Sequence, residues 1–150
     1  MTLGDLLDVS DTWERRLVWL LQLALVGLIG YGTVTGRASV SVTAGLALGV
    51  TLLPAVLRRE YGYAMDAGLV LWITAAVFLH SLGSIGIYRQ YQWYDEVTHT
   101  VSSIVVAGFG YASFRALELH SDDVAVPSAF RSLFIVVFVL AAGVLWEVFE

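Results

Sequence analysis

Runs of apolar residues about twenty long, broken by short polar or charged segments, recur five times along this chain. Crossing the hydrocarbon core of a bilayer takes about 20 apolar residues, because the core is about 30 Å thick and a helix rises about 1.5 Å per residue. By that measure the pattern predicts five membrane-spanning helices, over residues 17–35, 38–57, 63–82, 94–117 and 130–149. No long polar linker, low-complexity tract or repeat separates them. The fold class expected is all-α: a polytopic transmembrane helical bundle forming one domain over residues 17–150, behind a short cytoplasmic N-terminal segment, residues 1–16.

Composition agrees. Of 150 residues, 58% are hydrophobic and only 14% charged, whereas a soluble domain carries about 25% charged residues. The chain therefore lacks the material for a wetted surface. There is no cysteine, which excludes disulfides, thiolate metal sites and cysteine nucleophiles. All 8 basic residues are arginine and the net charge is −5. An acid-rich, lysine-free chain suggests a high-GC or halophilic source, for which stability against molar salt is the test. The same acidic balance argues against a nucleic-acid partner, which calls for basic patches.

The leader MTLGDLLDVSDTWERR places acids where a secretory signal has positive charge, and no small-residue cleavage site follows. The first span should thus remain in the mature protein. Arginines set the orientation. Arg15, Arg16, Arg58, Arg59, Arg115 and Arg131 fall on one side of a five-span topology, and only Arg37 and Arg89 on the other. The positive-inside rule then predicts a multi-pass protein of the cell membrane with a cytoplasmic N-terminus. Residues 83–93 become an outer loop, whose Tyr88, Tyr91 and Trp93, with Tyr94, suit an interfacial aromatic belt. Gly32/Gly36 and Gly45/Gly49 have the GxxxG spacing that lets helices approach closely. Packing within the chain is the plainer reading of them, and an oligomer interface the other. The last span ends in GVLWEVFE with no glycine cap or polar tail, so a longer natural protein with a further helix is expected.

The chemistry lies at one predicted depth. Asp95 and His99 sit at i, i+4, on one helix face. His80 falls at the outer end of the third span, and Glu147 and Glu150, at i, i+3, near the outer end of the fifth. Ionisable groups near hydrocarbon mark function or a polar pairing. Such a set could hold a divalent metal as cofactor, act as general acid and base, or relay protons. Plainer roles exist for each: Asp95 as a helix N-cap, His80 bonded to a carbonyl, Ser102 and Ser103 bonded to preceding carbonyls. Asp66, near the other end of the third span, is expected to join Arg58 and Arg59. No HExxH, P-loop or GxSxG is present to choose among reactions.

The stretch LHSLGSIGIYRQYQWYDEVTHTVSS, followed by a small-residue helix and GVLWEVFE, resembles the YjdF-like uncharacterised polytopic membrane proteins. The shared features are a histidine ending one helix, a glycine–tyrosine loop, an Asp-x-x-x-His helix start and a late Trp-Glu-x-x-Glu. The resemblance implies His80, Asp95, His99, Glu147 and Glu150 as the site positions, and no established substrate. The Asp-x-x-x-His spacing is also similar to the VanZ-like group, though Glu96 and Thr100 depart from that pattern. The leading functional expectation is an outer-leaflet pocket acting on a lipid or other amphiphile. His99 and Glu147 would be acid/base groups or metal ligands, Asp95 the partner of His99, and His80 and Glu150 further ligands. The rivals are a transporter or proton-linked carrier, and a structural or assembly subunit.

Overall fold

The computed structural model describes residues 10–62, 64–120 and 127–149, with the backbone alone at 115–117, 119–120, 146–147 and 149. Among them the chain is helical: α1 (Asp11–Val34), α2 (Ala38–Tyr61), α3 (Ala67–Leu82), a wide π-helical turn (Gly83–Ile87), the single turn α4 (Tyr88–Gln90), α5 (Gln92–His120) and α6 (Ser128–Phe149). The all-α bundle expected from hydropathy is what forms. Four helical stretches among the described residues are long and apolar enough to cross a membrane: Asp11–Val34, Ala38–Tyr61, Ala67–Gln90 and Ser128–Leu145. Helix α5 has 29 residues, about 43 Å at 1.5 Å per residue. Its length suffices; Asp95, Glu96, His99, Ser102 and Ser103 dilute its first half.

The chain divides into two compact units, Met1–Thr98 and His99–Glu150. In the first, α1, α2 and α3 all pack on one another. Leu25, Ala44 and Ala47 form its buried centre, flanked by Leu28, Ile29, Leu48, Val77 and Phe78. The buried face of α2 is Val40, Ala44, Ala47 and Thr51, a stripe recurring every three or four residues. Three of these four are Ala or Thr, so backbones come close and dispersion holds the helices where hydrocarbon offers no hydrophobic gain. Polar side chains fasten the same seam. Gln22 Nε2 donates to the Thr51 carbonyl at 3.3 Å and lies 3.2 Å from its hydroxyl, and the Ser41 hydroxyl donates to the Ile29 carbonyl at 3.1 Å.

Gly32 and Gly36 serve the α1–α2 corner. A Cβ on Gly32 would meet Ser41 Oγ at 2.5 Å and Ser41 N at 2.8 Å. Gly36 turns the chain at φ +69°, a conformation that L side chains rarely adopt. Gly45 and Gly49 do otherwise: both are exposed, and a Cβ on either would touch nothing within 4 Å. Packing within the first unit therefore uses the alanine stripe beside this GxxxG and not the GxxxG itself.

Asp66 departs from its expected partners too. Its side chain caps α3 by accepting from the Leu69 N–H at 3.2 Å, while Arg59 pairs with adjacent Glu60 at 3.4 Å. The cap satisfies a first-turn N–H that the helix leaves open.

The second unit is an antiparallel hairpin of α6 on the rest of α5. Arg131 Nη2 donates to Glu118 Oε1 at 2.8 Å, Phe134 packs on Phe114 with centroids 4.8 Å apart, and Phe138 lies over Gly110, where a Cβ would come within 2.7 Å of the ring. Each step of four back along α5 thus matches a step of three or four forward along α6. Phe134 and Phe138 stack at 5.9 Å to continue the ladder.

Candidate site at one end of the helices

At the C-terminal end of α3 the chain stays helical where an outer loop was expected. It widens into the π turn and kinks at Gly86, whose φ is +121°. The kink sends Tyr88 back over the end of α3, against Gly83, where a Cβ would clash with the phenol ring. The Tyr88 hydroxyl sits 3.1 Å from His80 Nδ1 and donates to the His80 carbonyl at 3.3 Å. Ring centroids are 6.0 Å apart. The half-buried imidazole is thus oriented from its Nδ1 side by a phenol two turns downstream in sequence.

Tyr94, buried near the start of α5, donates its hydroxyl to the Leu79 carbonyl at 2.8 Å, one residue before His80. It meets Tyr88 edge-on at 5.7 Å and Trp93 at 5.9 Å. The expected aromatic belt is thus in part a clamp, two tyrosines fixing the last turn of α3 by their hydroxyls. Spacing alone could not reveal it, because the contact depends on the Gly83 gap and the Gly86 kink.

Asp95 lies in the first turn of α5, where a carboxylate is favoured by the helix dipole. Its carbonyl accepts from the buried Thr98 hydroxyl at 2.8 Å. Asp95 and His99 are both exposed, one turn apart on the same face.

Helix α6 reaches Phe149 without a break; Glu150 lies outside the described residues, as does the side chain of Glu147. Continuing the hairpin register from Gly110 and Phe138 by eleven residues on each helix brings position 99 level with position 149. At about 100° per residue, His99 keeps to the α5 face that carries Gly110, and position 147 turns to the side of α6 away from α5. The end of α6 and position 99 of α5 thus share a height within the second unit, while backbone position 147 falls on the α6 face opposite the one that meets α5. Among the described residues, no three His, Asp or Glu come together as a metal site would require.

Helices of spanning length carrying a polar cluster at one end define a polytopic helical membrane protein. Matched over residues 16–150, the chain belongs to the family described as Predicted membrane protein (DUF2238). The resemblance to an uncharacterised polytopic membrane family is therefore shown, and the similarity to the VanZ-like group is not. No curated protein and no solved structure matches the chain.

Proposed function

We propose that this protein sits in the cell membrane with its N-terminus on the cytoplasmic side, and that its outer ends form a site acting on a lipid or other amphiphile. In this reading His99 and Glu147 exchange protons with the substrate or hold a divalent metal. Asp95 orients His99; His80 and Glu150 supply further ligands. A metal there would polarise a phosphoryl or carbonyl oxygen. The observation that supports the reading is the hairpin register of the second unit, since continuing the phenylalanine ladder sets His99 at the height of the last turn of α6. His80 adds an imidazole held in one orientation by Tyr88, as a general acid or base needs.

The test is purified full-length protein incubated with a lipid extract across pH, with lipid products and bound metal measured by mass spectrometry. Turnover that His99→Ala abolishes supports the site; unchanged turnover and metal content in that variant refute it. A structural reading is favoured by one observation: the hydroxyls of Tyr88 and Tyr94 bind the last turn of α3 within the protein. On that account Glu147→Gln and His80→Ala lower stability and change no activity.

A further inference from the structure

The α1–α2 corner and the kinked end of α3 meet at one end of the first unit, where Arg37 Nη1 donates to the Ile85 carbonyl at 3.1 Å. Between them opens a cleft of about 540 Å³, with Arg37, Ser39, Ser84, Arg89 and Gln90 among its walls and no acidic residue. Two arginines therefore border one polar cavity in a chain whose net charge is −5. Among the described residues neither arginine has a carboxylate within ion-pair distance.

Arg37 is also held in place, stacked over the Tyr31 ring at 5.9 Å. The Ile85 contact uses one of the five N–H donors of its fork. The first N–H groups of α2, at Ala38 and Ser39, border the same space and have no acceptor within their helix. Their partial positive charge adds to that of the arginines. We propose that this cleft binds a phosphate-type anion, the headgroup of an anionic phospholipid or the free ion. Guanidinium forks match phosphate oxygens geometrically. The volume equals about eighteen waters at roughly 30 Å³ each, so a headgroup larger than bare phosphate fits. The inference uses none of the residues assigned to the His/carboxylate site.

The experiment uses the full chain in detergent, titrated separately with phosphatidylglycerol, phosphatidylcholine of the same acyl chains, and inorganic phosphate, with binding read by native mass spectrometry. Phosphatidylglycerol should bind about tenfold more tightly than phosphatidylcholine, and Arg89→Gln should remove about that factor, the worth of one hydrogen bond to a charged group. Arg89→Lys, which keeps the charge, should retain part of the preference and serves if the glutamine variant does not fold. Phosphatidylglycerol binding that millimolar phosphate leaves in place assigns the cleft to lipid. Binding of inorganic phosphate itself, lost in Arg89→Gln, assigns it to the free ion. Equal retention of both lipids with no phosphate bound, or a preference unchanged in both Arg89→Gln and Arg37→Lys, overturns the proposal. Loss of the lipid preference in Arg89→Gln with His99-dependent turnover intact, and the reverse, are distinct results, so failure here and failure of the reactive site are told apart.

Discussion

Replacing Gly83 by alanine tests how His80 is positioned. The new methyl would clash with the ring of Tyr88, so the phenol must leave. Its departure breaks the hydroxyl contact with His80 and the edge-on contact with Tyr94. The first is worth about 1 kcal/mol and the second about 0.5–1.5 kcal/mol. Against this, Gly83 has helical angles, φ −57° and ψ −34°, where alanine is favoured over glycine by about 1 kcal/mol. With about 1–3 kcal/mol for forcing a packed ring aside, the net cost should be roughly 1.5–4.5 kcal/mol. Unfolding in mixed micelles of mild detergent and dodecyl sulfate, followed by tryptophan fluorescence, measures it. In a Tyr88→Ala background the obstacle is gone, and Gly83→Ala should become neutral or stabilise by up to about 1 kcal/mol. The same cost in both backgrounds would mean that Gly83 is required for another reason, and the account of His80 placement would fail.

Three further outcomes are expected in the same assay. Arg131→Ala should cost about 1.5–3 kcal/mol by removing the charge-assisted hydrogen bond to Glu118, 7% exposed, and Glu118→Gln in addition should restore part of the loss. Gly110→Ala should cost about 1–3 kcal/mol through the Phe138 ring, and a Phe138→Ala background should remove that cost; persistence there would refute the ladder register. Gly32→Ala should destabilise the α1–α2 corner by a similar amount, whereas Gly45→Ala and Gly49→Ala, helical and with open space around them, should leave the monomer as stable as before or more stable by up to about 1 kcal/mol each.

Much of the helical framework was legible because burial in lipid demands continuous apolar length. The expected second span began at residue 38, as α2 does, and the fifth, residues 130–149, falls within α6. Charged ends were read less well. Helix α1 begins at Asp11, ahead of the expected residue 17, and takes in the buried Glu14, because a helix can run past the hydrocarbon into the interface. Gly83 and Gly86 read as loop punctuation and turned out to serve the packing of one tyrosine ring. The polar seam of Gln22 and Thr51 and the cleft between Arg37 and Arg89 went unnoticed as well, since each joins residues far apart in sequence. Asp95 and His99 were visible as an i, i+4 pair because one turn of one helix fixes that relation. What stands opposite them depends on helix packing, which periodicity does not encode.

The common height of position 99 and the last turn of α6 can be measured directly, since the chain has no cysteine of its own. Cysteines at His99 and Phe149, in native membranes, would be treated with a bifunctional maleimide spanning about 10 Å, the usual distance between packed helix axes. A second pair, at His99 and Ala142, on the same face of α6, serves as the control about two turns out of register. The account predicts efficient bridging of the first pair and little of the second. Equal yields, or bridging of the control alone, would separate the two motifs and remove the basis for a shared site.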